Sequence, residues 1–196
     1  LVAINSAGEA FSGNSVIVDD GTGVRYTDDD DDGVFETSTL NLDNDDLSVN
    51  NIVVNEASPY AIFTVSGIEG QQVELSLASG TATKGTDFAD TTTDPTKPEL
   101  EYWDGGDWLP YTAGSLVAIP AGGSGQLFVR TNVVDDPDFE GAETFALNVE
   151  DSTGVKARGI GTIRDDGTGI KYVGTFDSND ELVTDSTDLD IDSGIS

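Results

Sequence analysis

The stretch ETFALNVEDSTGVKARGIGTIRDDGTG, Glu143–Gly169, decides the reading of the whole chain. Phe145, Leu147 and Val149 alternate with polar residues, which is the period-two signature of a strand with one face buried. The turn DSTG follows, and VKARGIGTIRDD runs back as a second strand. Two strand runs joined by a short glycine-bearing turn predict an antiparallel hairpin. It closes on two adjacent carboxylates, Asp165 and Asp166, followed by glycines.

Outward from this hairpin the same alternation recurs. Ala61, Phe63 and Val65 share one face of AIFTVSG; Val73, Leu75 and Leu77 share one face of QVELSLAS; Leu127, Val129, Thr131 and Val133 line up in QLFVRTNVV. With SVNNIVVNE and SLVAIPAG this makes about seven short strands, separated by turns such as SGTATKG and PAGGSG. Short, evenly spaced strands predict an all-β sandwich of antiparallel strands in two sheets. Helix formers are scarce, so the crossovers of a parallel α/β sheet have no segment to supply them.

The word DDGTG occurs twice. Asp19 and Asp165 differ by 165 − 19 = 146, and at that offset DDGTGVRY (Asp19–Tyr26) lies on DDGTGIKY (Asp165–Tyr172). LDNDDLS (Leu42–Ser48) corresponds with small gaps to LDIDSGIS (Leu189–Ser196). Self-similarity at a fixed period reads as a tandem array. The chain then divides into the last strands of a preceding unit (1–23), an acidic connector (24–46), a complete sandwich (47–169) and the next connector (170–196). The paired runs VRYTDD and VFETSTLN predict a hairpin within the first connector.

Eight basic residues face 38 acidic ones, a net charge of −30. That balance argues against nucleic-acid partners, whose phosphates need basic neutralisation. No cysteine or histidine is present, which excludes disulfides, thiolate or imidazole metal sites and every histidine-based catalytic arrangement. Oxygen-only ligation remains, and it suits Ca2+. No apolar run is long enough to span a membrane as a helix, and direct membrane insertion is not expected. An acidic, cysteine-free β chain fits a secreted or surface protein of a bacterium, and no enzymatic activity is expected.

The acids concentrate at strand ends. Glu56 ends VVNE, Asp87 lies in KGTDF, Asp135 and Asp136 end FVRTNVVDD, Glu140 and Glu143 fall in DFEGAETF, and Asp165 and Asp166 end GTIRDD. In a seven-strand sandwich these positions can gather at one pole. Like charges brought together must protonate or be bridged by cations. Two readings stand: a calcium-binding pole and a solvated acidic one. A separate run, DDDDDGVFETST, places Asp28, Asp30 and Asp32 before Gly33 as in an EF-type loop, but Thr39 stands where a bidentate Glu belongs. A weak cation site and a solvated charge run explain it equally well. In PELEYWDGGDWLPYTAGS, Trp103 and Trp108 flank a DGGD turn. This aromatic hairpin either covers the sandwich or offers a face to a glycan or protein.

NIVVNEASPYAIFTVSG, GTATKGTDF, VVDDPDFEGAETFAL and GTIRDD together resemble the Calx-beta domain, in the form of the tandem repeats of large bacterial adhesins exported by type I secretion. The resemblance implies an Ig-like sandwich binding calcium at one end, between successive units. It also implies ligands at Glu56, Asp87, Asp135, Asp136, Glu140, Glu143, Asp165 and Asp166, with the backbone carbonyl of Asp138. Asp19 and Asp20 are the matching acids of the preceding unit. The function expected is a calcium-stabilised extender of a cell-surface adhesin serving adhesion or biofilm formation, its partners being calcium ions and adjacent repeats of the same polypeptide. The alternatives are a binding module that uses Trp103 and Trp108, and a calcium-sensing regulatory domain.

Overall fold

The computed structural model describes residues 47–91, 97–121, 125–178, 181–187 and 189, together with the backbone of four short strands nearer the N-terminus. Two compact units emerge, Leu1–Asp46 and Leu47–Ser196.

In the first unit, β1 (Val2–Ile4) pairs antiparallel with β2 (Ala10–Ser12), and β3 (Arg25–Thr27) with β4 (Glu36–Ser38). The second unit contains β5 (Ser48–Val49), β6 (Ile52–Asn55), β7 (Tyr60–Ser66), β8 (Gln72–Ser79), β9 (Glu101–Trp103), β10 (Trp108–Pro110), β11 (Val117–Ala118), β12 (Gln126–Asn132), β13 (Glu143–Asp151) and β14 (Lys156–Arg164). A last hairpin follows, β15 (Lys171–Phe176) and β16 (Leu182–Asp185).

Strands β5 to β14 form an Ig-like sandwich of two five-stranded sheets, ordered β10-β9-β12-β7-β5 and β11-β8-β13-β14-β6. The core rows are those the alternation predicts. Ala61, Phe63, Val65, Val73, Leu75, Leu127, Val129, Phe145, Leu147 and Val149 are buried between the sheets. Phe145 stacks on Phe88 at 4.3 Å and meets Phe63 edge-on at 5.7 Å. The aromatic hairpin extends the first sheet through β9, which pairs with β12.

One pairing departs from the expected antiparallel pattern. The first long strand run divides between the sheets, β5 pairing with β7 while β6 runs parallel to β14 in the other sheet. The register sets Asn55 beside Arg164, so both strands end at the same pole. The next residues of each, Glu56 and Asp165, are therefore delivered side by side.

The backbone pairing also carries the internal repeat further than the sequence words do. In β1–β2, Val2, Ala3 and Ile4 oppose Ser12, Phe11 and Ala10. Adding 146 gives Asn148, Val149 and Glu150 opposite Arg158, Ala157 and Lys156, which is the observed register of β13–β14. In the following hairpins Arg25 opposes Ser38 and Lys171 opposes Asp185. The offsets are 171 − 25 = 146 and 185 − 38 = 147, so one extra residue lies between the paired positions of the later hairpin. The same 147 relates Leu42 to Leu189.

Candidate metal centre

Four segments converge where β6 and β14 end. The loop bearing Asp87 is anchored by its neighbour: Phe88 is fully buried against Phe145. Asp87 Oδ2 accepts the Thr83 amide at 2.6 Å, and its carbonyl accepts the Val134 amide at 2.9 Å. Glu143 opens β13 on the same face as Phe145, so the core row itself carries a carboxylate to the pole. The loop between β12 and β13 folds over Asp165, whose Oδ2 accepts the amides of Glu140 at 2.7 Å and Gly141 at 3.2 Å. Glu56 is buried, its own amide bonded to the Arg164 carbonyl at 2.8 Å, and its Oε1 lies 3.4 Å from the Asp136 amide.

Asp87, Glu140 and Glu143 bring one carboxylate oxygen each within 4.8 Å of one another. Burial comes first among the causes that push the Glu143 carboxyl up to about 7, followed by its hydrogen bond to Asp87 and the charges of Asp87, Glu140 and Asp165. Glu140 is also raised, by burial and then by the charges of Asp87, Asp136, Asp138 and Asp165. Meanwhile Lys84, Arg130, Lys156 and Arg164 pair with Glu99, Glu101, Glu150 and Asp166, none of which belongs to the group of three carboxylates. Asp165 is 2% exposed, and its Oδ1 is buried without a hydrogen-bond partner. A buried carboxylate oxygen left unbonded costs on the order of 1–3 kcal/mol or more, and a cation relieves that cost.

The donor set fits Ca2+. The ligands are all oxygen, and Ca2+–oxygen bonds of about 2.3–2.6 Å span opposite ligands at roughly 4.6–5.2 Å. The three carboxylate oxygens, all within 4.8 Å of one another, are close enough to share one such ion. Asp165 Oδ1 supplies a further donor at the same pole.

The remaining candidates are distributed unevenly. Asp135 and Asp138 are exposed on the loop between β12 and β13, and the Asp138 amide donates to Asp136 Oδ1 at 2.9 Å. Asp166 is exposed and held locally: Oδ1 accepts the Thr168 hydroxyl and, at 3.0 Å, the Thr168 amide, while Oδ2 lies 3.6 Å from Arg164 Nη1. The Thr168 hydroxyl is the main reason its carboxyl titrates below the ordinary range. Of the adjacent pair, Asp165 turns into the acid cluster while Asp166 caps a turn. Asp19, Asp20, Asp28, Asp30 and Asp32 lie outside the described residues.

Asn55 is a pole residue that the acid pattern did not reveal. Fully buried, it donates from Nδ2 to the carbonyls of Arg164 at 3.1 Å and Thr168 at 3.2 Å, and its Oδ1 accepts the Ala57 amide at 3.1 Å. A polar residue at the end of an otherwise apolar strand, in IVVNE, was the available signal.

Comparisons with known proteins give structural likeness only. No family model and no curated protein matches the chain. Among solved structures, the chain is similar to CBD12 from CALX1.2, with 25% identity over 60% of this chain and a TM-score of 0.40. The match spans 42% of that structure, well under half its length. The Calx CBD2 domain matches over 59% of this chain and 86% of its own, at 9% identity and a TM-score of 0.35. The periplasmic chaperone SfaE matches over 59% and 55%, at 9% identity and 0.36.

Proposed function

We propose that this chain is a calcium-stabilised structural unit of a tandem array, and that it serves as an extender in a bacterial surface adhesin. The observation that carries the calcium reading is the buried, unpartnered Asp165 Oδ1 at a pole where Asp87, Glu140 and Glu143 already crowd together. The duplicated strand register at an offset of 146 supports the array.

The mechanism is linkage. An ion that binds the folded pole and not the unfolded chain stabilises by roughly 4 kcal/mol at about 1,000 times its Kd. Glu56, Asp87, Glu140, Glu143 and Asp165 hold the ion, and the ion in turn ties the ends of β6 and β14 to the loop before β13. Synthesis in low calcium leaves the pole self-repelling, and export into millimolar calcium completes the fold. The acids act as ligands, and no catalytic step is assigned to them.

Recognition through the tryptophans is the weaker reading. Trp103 and Trp108 pack on Phe176 at 4.5 and 6.0 Å, so the chain itself occupies ring surface that a glycan would need. Titration calorimetry of calcium into the metal-free chain, paired with melts in calcium and in chelator, tests the proposal. Heat of binding and a higher midpoint in calcium are expected; equal midpoints and no heat would overturn it.

A further inference from the structure

The hairpin β15–β16 lies against the outer face of the first sheet, and its seat is built. Arg130, 9% exposed, is sandwiched between the rings of Tyr60 at 3.9 Å and Trp108 at 4.3 Å. Its Nε pairs with Glu101 at 2.6 Å, and its Nη1 donates to the Gly174 carbonyl at 3.2 Å. Trp108 Nε1 donates to the same carbonyl at 2.8 Å. Gly174 has a φ of +83°, and a Cβ there would meet the Tyr60 ring at 2.7 Å, so only glycine lets the hairpin approach this closely. Phe176 fills the remaining space against Trp103, Trp108 and Phe128.

A continuous run of contacts connects this seat to the acidic pole. Asn55, next to Glu56, bonds the carbonyls of Arg164 and Thr168 on either side of Asp165 and Asp166. Beyond the turn, Gly169 has a φ of +102°, and a Cβ would meet the Val54–Asn55 backbone at 2.6 Å. Ile170 then joins β6, its amide donating to the Val53 carbonyl and its carbonyl accepting the Asn55 amide. Ser58 completes the link. Its amide donates to the Asn55 carbonyl, its Oγ accepts the amide of buried Tyr172 at 2.9 Å, and it donates to the Tyr60 carbonyl at 2.6 Å. Tyr60 is the ring that stacks on Arg130.

We propose that the acidic pole and the hairpin seat are coupled, so that calcium binding tightens the docking of β15–β16 through Asn55 and Ser58. The inference rests on the calcium reading above. Its physical content is that Asp165 and Tyr172 are held by one short segment with few independent freedoms. Fixing Asp165 on a cation narrows the positions open to the DDGTG turn, and the docked arrangement of Ile170 and Tyr172 is the one that remains. Coupling between sites is typically 5- to 150-fold and acts equally in both directions.

The experiment uses the whole chain with calcium chloride as the probe. Calorimetry reports ion binding; hydrogen exchange at the Tyr172 amide and the Trp108 indole N–H reports hairpin docking. Calcium is expected to slow exchange at both by about fivefold or more. Ser58→Ala is expected to retain the calcium heat and lose most of that calcium-dependent slowing, an effect that a purely local packing role would not produce. Reciprocity supplies a second arm. Phe176→Ala, which touches no pole residue, should weaken calcium binding by the same factor. Calcium binding with unchanged exchange at Tyr172 and Trp108 overturns the coupling and leaves the metal reading standing. Absence of binding heat overturns both.

Discussion

Strand β14 has a carboxylate near each end, and the two could hardly be treated more differently. Before its start, Asp151 is saturated by its own turn. Oδ1 accepts the Thr153 amide at 2.8 Å, the Thr153 hydroxyl at 2.7 Å and the Val155 amide at 2.9 Å, and Oδ2 accepts Gln71 Nε2 at 3.0 Å. Burial raises its carboxyl, but these bonds outweigh it and bring the group down to about 2. Past the other end, Asp165 has one oxygen bonded and one stranded, among acids of which Glu143 is pushed up to about 7. The lesson is that acid density does not mark a cation site. What marks it is the mismatch between acceptors present and donors supplied.

The largest test of that contrast is calcium itself. With roughly 4 kcal/mol of linkage and about 2–4 °C per kcal/mol in a domain of this size, saturating calcium should raise the melting midpoint by about 8–16 °C over chelator. Calorimetric scans check this, and a shift under about 2 °C breaks the contrast. Next come substitutions at the two ends. Asp151→Ala should cost roughly 1–3 kcal/mol whether or not calcium is present, because four donors lose their acceptor. Asp165→Asn should leave the metal-free midpoint unchanged or higher while erasing most of the calcium shift. Denaturant titrations of both variants, with and without calcium, separate the outcomes.

Proton linkage is smaller and opposite in sign at the two ends. The folded-state value of Glu143 lies above its unfolded value of 4.5. The metal-free fold therefore holds the extra proton in that window, and stability is lost as pH rises through about 7. Asp151 is depressed, so its contribution is present above about 3.8 and lost as pH falls through about 2. Metal-free melts should accordingly drop between about pH 4.5 and 7 and level off above it, and calcium should abolish that slope; a flat metal-free profile contradicts the crowding at Glu143. The smallest effect is expected at Asp166. Asp166→Asn should change calcium affinity by less than about threefold, because its carboxylate is exposed and engaged by Thr168 and Arg164. A large loss in calorimetry would move Asp166 into the site.

Much of the sandwich was legible because burial is written with period two. The rows through Phe63, Leu75, Val129 and Leu147 needed nothing beyond alternation. The convergence of Glu56, Asp87, Glu140, Glu143 and Asp165 was legible only as acids at strand ends, since distance in space depends on a topology that spacing alone does not encode. What stayed hidden follows from contacts remote in sequence. The parallel β6–β14 pair joins residues more than a hundred positions apart. The capture of Asp166 by Thr168 is a local side-chain choice that DDGTG leaves open, since either aspartate could have turned inward. The hairpin seat depends on Phe176 and Gly174 meeting Trp108 and Arg130, and neither residue stands out in KYVGTFD.

The parallel pairing also has a mechanical meaning. When the unit is pulled at Leu47 and Asp185, load first reaches the open end of the last hairpin, where Lys171 opposes Asp185. An antiparallel pair pulled from its open end unzips one bond at a time, so β16 peels away first, and β15 follows once its bonds to Trp108, Arg130 and Ser58 give way. Some 15 residues released at about 3.4 Å each give roughly 50 Å of slack. Tension then meets the bonds of Ile170 to β6, and beyond them Arg164, where β14 lies alongside β6 over Ile52–Asn55 and both point the same way. There the bonds are sheared together and must break as a group. The unit is thus built as a soft tether in series with a stiff lock, and the lock sits directly beneath the acids of the pole.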